Sequence, residues 1–599
     1  MSKTAHIILA LIIAATLVSS NYFINASLAA YFLFVISAST ILVFTGIYIV
    51  SNKNVVVLIN SLPFILLILL VGYYFFQTLL SANPVTTIHT YLFTNTLLLL
   101  SLTLLFKNEI LNKQSVFNII SIAALVESLI CIFQFGGLIN SQNQFLKVSG
   151  TWENPNVTAM FIAMSLPAIF SNSIFKKYAA AIWFNRCFIA VILIAITLLK
   201  CRTAFIGSLV VLTIFLNYRY NVLNKMKEKY SVVKQLLVFS LLIAVIIPSA
   251  VYSYKWKKNS ADGRMLVWKI SATMFVKNPI SGIGLGNFEH DYNLQQAEYF
   301  EQGKGSNQEI NNAAFVNMAY NEFLQNAVEG GMIALSLFSA FILSLLLKSK
   351  KQKQPIPPPA ALAVSGIAAF AAMSFFNFSV QAIPVMCLFI IYAALIISTS
   401  KPIISFAALQ NKKFISSILC LSGILIFTTQ ISLANAFAKT KEAINLSKDG
   451  YNAEAIQMLK PLSSKMQNSE AYWVNFGDVL SNQKDYKKAL FSYKKATTIT
   501  SSSFLYMNIG NVYFKLHQFD SAINACTTAK NIMPSRLKPR YALMKIYEAK
   551  NDTVNTVKTA KELITMQPKF QSKEADYYKE DAIKTLSVYN LKNIETLKQ

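Results

Sequence analysis

Charge is scarce in this chain. Only 14% of its 599 residues are Asp, Glu, Lys or Arg, against about 25% in a soluble protein. That excludes a wholly soluble globular fold. Acids are scarcer than bases, 27 against 54. Histidine occurs four times, at His6, His89, His290 and His517. The four are scattered, and no metal-ligand cluster is visible. The six cysteines (Cys131, Cys187, Cys201, Cys387, Cys420, Cys526) contain no CxxC pair, and five lie in or beside apolar runs. They read as small core residues, not as a disulfide framework or a zinc site. No metal is expected.

Apolar residues fill the space that charge leaves. Of the chain, 54% is hydrophobic, and mean hydropathy is +0.45. Segments near 6–20, 28–50, 54–76, 85–106, 115–139, 157–173, 185–201, 203–218, 235–252, 326–347, 360–376, 384–399 and 414–433 are each roughly long enough to cross a bilayer, at about 20 residues per span. The pattern predicts an all-α, polytopic transmembrane helix bundle of about 12–13 spans.

The net charge of +27 lies largely in short basic runs between apolar segments, at 219–234 and 348–354. Such runs are topology signals, and nucleic acid is not expected as a partner. With the N-terminus cytoplasmic, the inside loops hold Lys53, Lys107, Lys113, Lys176, Lys177, both basic runs, Lys401, Lys412 and Lys413. The outside loops near 21–27, 81–84 and 377–383 hold no Lys or Arg. The tendency of positive loops to stay inside then puts 253–325, and everything after residue 434, outside. The first segment also fits a signal peptide, with Lys3, a short apolar core and small residues. Retention is expected, and cleavage would leave the topology unchanged.

The tail, 434–599, has a different texture. Alanines recur at Ala455, Ala489 and Ala522. Gly477 and Gly510 lie 33 positions apart, and Pro534 and Pro568 lie 34 apart, with Trp473, Tyr506 and Tyr513 around them. This period resembles the tetratricopeptide repeat, in which two antiparallel helices per unit stack into a solenoid with a concave interaction surface. The expected domains are therefore 1–433, a membrane domain with the large outer loop 253–325, and 434–599, a helical-repeat domain of three to four units. The tail shows no catalytic constellation and is expected to be separable from the chemistry.

Four polar motifs face the outside on this topology. GTWENPNVTAM (150–160) leads into the sixth span. Its Asn154 and Asn156 fit turn formation and helix capping. KCRTAFIGSL (200–209) links spans seven and eight. Arg202 stands there at the membrane boundary, where a cation is costly unless it snorkels or meets an anion. The outer loop carries GRMLVWKISATMFVKNPISGIGLGNFEHDY (263–292). A helix is expected to start at Arg264 and stop at Asn278-Pro279, with a tight turn at Gly282, Gly284 and Gly286. Arg264 also fits a lipid-headgroup contact or a loop salt bridge. NMAYNEFLQNAVEGG (317–331) gathers Asn321, Glu322 and Gln325 where the next span begins. Glu127, inside span five, is the one clear mid-membrane acid, suited to pairing with an arginine or lining a wet cavity.

In that order, GTWENPN, then CRTA at an outer corner, then GRMLVW and KNPISGIGLGNF in the largest outer loop, then YNEFLQNAVEG, the chain resembles the O-antigen ligase and polymerase superfamily. That superfamily includes bacterial protein O-oligosaccharyltransferases. The resemblance covers roughly residues 1–400, and many members carry a tetratricopeptide tail. It implies a GT-C-like enzyme of the bacterial inner membrane with its repeat tail in the periplasm. Such an enzyme transfers a glycan from an undecaprenyl-diphosphate carrier to an acceptor at the periplasmic face, with no metal, nucleotide sugar or other cofactor.

The implied partners are the lipid-linked donor, lipid A core or another acceptor, membrane lipids, and a protein partner for the repeats. By position, Arg202 and Arg264 would hold the diphosphate. Asn154, Asn156, Asn321 and His290 would contact substrate, and Tyr320 and Glu322 would join the chemistry. The family usually has His where this chain has Tyr320. Tyrosine, with a pKa near about 10, is mostly a neutral donor at pH 7. Tyr320 then only orients substrate, or Glu322 or His290 takes the proton, or the transferase has been lost. Ligation to lipid A core is the first reading. Repeat-unit polymerisation and transfer to protein Ser/Thr are the alternatives. A transporter or flippase is the rival of another class, and it would need ionisable residues within the spans and paired broken helices. A membrane-anchored scaffold would need only one span.

Overall fold

The computed structural model describes residues 1–52, 55, 61–80, 87–171, 179–229, 231, 258–351, 358–400, 411–568 and 571–589. Every regular element among them is helical. Helices fall on twelve of the thirteen predicted spans. Seven are long and apolar enough to cross a membrane, and five more are apolar but shorter. The predicted span 235–252 lies outside the described residues, as do Lys53, Lys176, Lys177, Lys234, Lys353 and Lys401. The chain is a multi-pass membrane protein with a helical-repeat tail.

It divides into two compact units, Met1–Trp256 with Tyr320–Asn435, and Lys257–Ala319 with Ala436–Gln599. In the first unit the helices Pro155–Ser171 and Ile383–Ser398 are apolar on all sides and almost wholly buried. A helix of that kind belongs at the centre of a bundle. Around them, outer helices expose apolar rows at helical spacing. Arg202–Tyr220 exposes Leu209, Leu212 and Leu216, and Lys412–Lys448 exposes Leu421, Ile424 and Leu425. Such rows suit hydrocarbon. Ser27–Ser51 and Lys412–Lys448 approach closely at Gly46, whose carbonyl accepts from Ser416 Oγ at 2.7 Å. Small residues allow this kind of contact between helices in lipid.

In the second unit, three helix pairs stack: Glu470–Asn482 with Tyr486–Ala496, Ser503–Lys515 with Phe519–Ile532, and Leu537–Ala549 with Thr553–Thr565. Gly477 leaves room for the Tyr493 ring and Gly510 for Cys526 Sγ, so the first two pairs close at the same point of their repeats. The outer loop folds with these repeats. Its helix Phe288–Glu301 packs on Phe519–Ile532, and Gln296 Nε2 donates to Ile532 O at 2.7 Å and Ala314 O at 3.0 Å. Compactness thus groups the loop with the tail, a division other than the expected 1–433 and 434–599. A second difference is local. The loop's first described helix runs Lys258–Lys277, so Arg264 lies inside it instead of starting it. The interior Gly263 costs a helix only about 1 kcal/mol, and packing on Asn307–Asn312 outweighs that.

Candidate functional site

Within the first unit three stretches meet. The first is the Cys-Arg-Thr corner. Lys200 takes a left-handed backbone (φ 51°), and Arg202 opens the helix Arg202–Tyr220. Beside it, Thr203 Oγ1 accepts from Asn377 Nδ2 at 3.0 Å. Asn377 belongs to the second stretch, the turn 375–382 that joins the helices Pro358–Ser374 and Ile383–Ser398. From that turn Phe378 meets the Tyr320 ring edge-on, with centroids 5.9 Å apart. Val380 N donates to Glu322 Oε1 at 2.7 Å. Tyr320, Asn321 and Glu322 are the third stretch. One turn, with Asn377 and Phe378 buried in it, thus ties the arginine corner to the tyrosine and the glutamate. Asn377, Phe378 and Val380 were missed in the sequence, where the segment drew notice only for lacking Lys and Arg. A lone Asn inside an apolar corner was the available signal, since a buried amide must find partners.

Tyr320 itself holds φ 52°. Left-handed backbone at a bulky residue is an outlier costing on the order of 1–3 kcal/mol, and such strain clusters at functional sites. Asn321 is a cap, because its Oδ1 accepts from Phe323 N and Leu324 N. Glu322 is buried, as are Gln325 and Glu329. The helix Glu322–Lys351 then breaks at Gly331, with φ 63° and ψ −162°, a conformation open in practice only to glycine. A break frees carbonyls from the helical ladder. Tyr73 Oη donates to Gly330 O at 3.0 Å and Gln77 Nε2 to Glu329 O at 3.0 Å. Tyr74 Oη donates to Asn326 Oδ1 at 2.7 Å. Neighbouring side chains thus re-satisfy the freed backbone, as the bilayer core demands. The polar start of this segment is therefore a short helix of its own, held against Leu62–Leu80, before the apolar stretch begins.

The GTWENPN loop is clamped from below by the helix Lys113–Gly136. Glu127 Oε1 accepts from Thr151 N at 2.8 Å, Thr151 Oγ1 at 3.1 Å and Thr158 Oγ1 at 3.4 Å. About two turns on along the same face, Gln134 Oε1 accepts from Ser149 N and Gly150 N. Glu127 therefore serves the loop, and no ion pair with an arginine is seen among the described residues. Asn154 Oδ1 accepts from Asn156 N at 3.0 Å, the turn-forming use that the Asn-Pro-Asn order suggested. Asn156 follows in the first turn of Pro155–Ser171.

The remaining two predicted residues belong to the second unit. Arg264 is half-buried in Lys258–Lys277. His290 Nδ1 lies 2.6 Å from Asp291 Oδ1 and Nε2 lies 3.0 Å from Thr497 O. Both ring nitrogens thus have partners within the second unit. Gly282, Gly284 and Gly286 all have positive φ, and the expected tight turn follows Pro279. The strand of chain leading to Tyr320 is pinned by Asn293, which exchanges hydrogen bonds with Val316 at 2.9 and 3.1 Å, and by Trp268 Nε1, which donates to Ala319 O at 2.9 Å. Among the described residues no group of three or more His, Cys, Asp or Glu is placed to hold a metal ion.

Residues 187–339 match the O-Antigen ligase family model. A tetratricopeptide-repeat model matches residues 470–502. The ligase match encloses Arg202, Arg264, His290, Tyr320, Asn321 and Glu322, and leaves Asn154 and Asn156 outside it. At family level it supports a function of the O-antigen ligase and polymerase type. No curated protein matches the chain. Among solved structures, the chain is similar to MamA, with 18% identity, 24% of this chain and 95% of that chain covered, and a TM-score of 0.21. It is also similar to the yeast Tom70, with 12% identity, 83% and 98% covered, and a TM-score of 0.25. Likenesses at such scores carry no argument.

Proposed function

We propose that this protein transfers a glycan from an undecaprenyl-diphosphate carrier to an acceptor hydroxyl at the periplasmic face of the bacterial inner membrane, with the repeat tail on that same side. Ligation of O-antigen or a related polysaccharide to lipid A core is the preferred reaction. The observation that carries this reading is the ligase-family match over both arginines and the Tyr320–Glu322 stretch. In the reaction the acceptor oxygen bonds to the anomeric carbon while the carbon–oxygen bond to the diphosphate breaks. The lipid diphosphate leaves, and charge grows on it. Arg202 and Arg264 carry planar, bidentate donors suited to that charge. The acceptor proton passes to a base. Glu322 is the candidate, with Oε1 held by Val380 N–H, and Tyr320 orients substrate beside it. No cofactor enters the scheme.

Repeat-unit polymerisation and transfer to protein Ser/Thr use the same donor chemistry and remain the alternatives. The broken helix at Gly331, with buried Glu322 and Glu329, and the buried Glu127 are observations that favour a transporter. The paired second break that such folds use is not seen among the described residues. Deletion in the native host separates these readings when surface polysaccharide and glycoprotein are profiled side by side. Lost long-chain lipopolysaccharide with accumulated lipid-linked polymer means ligase. Single-repeat products mean polymerase, and lost glycoproteins mean oligosaccharyltransferase. Unchanged profiles would overturn the proposal.

A further inference from the structure

The repeat tail carries a groove of about 390 Å³ whose lining is unusual in its chemistry. Four of its twelve lining residues are asparagines and only one is a cation. The lining is built by the repeat itself. Asn475 and Asp478 sit one helical turn apart on Glu470–Asn482. Asn508 and Asn511 occupy the same two positions, 33 residues on, in Ser503–Lys515. In the next repeat those positions are Tyr541 and Met544, and the amide ladder ends. Phe504, 60% exposed, stands at the rim.

Asp478 is held in place. Its Oδ1 accepts from Tyr493 Oη at 2.6 Å and from Asn508 Nδ2 at 2.8 Å. Burial pushes its carboxyl up from the ordinary value, while those two hydrogen bonds pull it back toward the charged form. Asn475 Nδ2 donates to Ala471 O of its own helix at 2.6 Å, which leaves its carbonyl oxygen to accept. A carboxamide offers an acceptor and a two-hydrogen donor about the width of a vicinal diol apart, and a carboxylate accepts from two hydroxyls. An exposed aromatic face suits the C–H face of a pyranose ring. Peptide carboxylates would call for cations, of which Lys448 is the single example here.

We infer that this groove is a glycan-binding subsite, which takes a short run of neutral sugar units through Asn475, Asp478, Asn508, Asn511 and Phe504. The choice of a glycan among hydroxyl-rich ligands rests on the transfer reaction proposed above. The groove's volume falls within the range of small-ligand sites, about 300–1,000 Å³.

The test uses the full-length protein in lipid nanodiscs and the host's own surface polysaccharide, released by mild acid and free of lipid carrier. Binding is read by saturation-transfer NMR and calorimetry, without turnover. Wild type is expected to bind. Phe504→Ala, Asn511→Ala and Asp478→Asn are expected to weaken binding about tenfold each, the equivalent of one hydrogen bond or contact surface lost. Asn511 and Phe504 are exposed, so their variants fold even where Asp478→Asn, which disturbs Tyr493, does not. Variants that bind as wild type overturn the inference. Capture of a short acidic Asp/Glu peptide in place of the glycan overturns it in favour of a peptide groove. Transfer from lipid-linked donor, measured in the same nanodiscs, tells the two readings apart. Active protein with no glycan binding sinks the groove and leaves the transferase.

Discussion

Glu322 offers the sharpest single test, because its carboxylate has two separable uses. Structurally, Oε1 accepts from Val380 N at 2.7 Å and holds the turn 375–382 to the start of the broken helix. Chemically, a buried carboxylate at this place is the candidate base. Glu322→Gln keeps a carbonyl acceptor for Val380 and removes the basicity. Glu322→Ala removes both and strands a buried backbone N–H, which costs on the order of 1–3 kcal/mol. The expected outcome for Gln is near-native thermal stability with transfer lowered by about 10²–10⁴, the usual contribution of a general base. The expected outcome for Ala is the same loss of rate together with a lower unfolding temperature. Transfer is measured with purified lipid-linked donor, and unfolding with the detergent-solubilised protein. Glu322→Gln transfer within about threefold of wild type would refute base catalysis by this residue, since proton transfer contributes far more than that. Glu322 would then be a tie for the turn and nothing else.

Other outcomes follow from the same geometry. Arg202→Ala and Arg264→Ala are expected to lower transfer by about a hundred- to a thousandfold, the usual cost of losing one stabiliser of developing charge. Lys at either position should restore only part, since it keeps the charge and loses the planar fork; near-normal transfer by Arg264→Ala would end the diphosphate assignment. In the second unit, Glu289 accepts from Thr500 Oγ1 at 2.6 Å, and burial followed by the nearby Glu470 carboxyl pushes Glu289 up to about 8, with Glu470 raised too. A carboxyl raised by folding binds more protons folded than unfolded, so stability is present at low pH and falls as pH rises from about 4.5 toward 8. Glu289→Gln should flatten that fall in thermal melts of the full chain, and an unchanged slope would contradict it. Removal of 436–599 takes Thr497 from His290 and Ile532 from Gln296, and limited proteolysis is expected to cut the outer loop 258–319 in the truncated protein and spare it in the full one. Cysteine labelling at position 300 is expected from the outside only, and labelling from the cytoplasm would overturn the topology.

Much of the fold was legible because its signals are local. Apolar length marked the spans, Asn278-Pro279 the end of the loop helix, the glycine triplet the turn behind it, and the period of Gly477 and Gly510 the repeat. Asn154 and Asn321 do what short polar residues before helices usually do. The site was less legible because its ties run between distant stretches. Asn377 meets Thr203 from 174 positions away, and Val380 meets Glu322 from 58. Glu127 gives its oxygen to Thr151 in a loop that reads, by itself, as a capping sequence. The packing of the outer loop on the repeats joins Glu289 to Thr500 across 211 positions. Apolar periodicity carries no trace of such pairs. They are chosen by which amides and carboxylates become buried together.

The two central helices of the bundle are short. Ile383–Ser398 has 16 residues and Pro155–Ser171 has 17, so each rises about 24–26 Å at about 1.5 Å per residue. A hydrocarbon core measures about 30 Å. Buried as they are, the two helices meet other helices and not lipid, so the shortfall falls within protein. Polar turns such as 375–382, which joins one of them to Pro358–Ser374, can then close the helix ends inside the bundle, where neighbouring side chains satisfy the backbone.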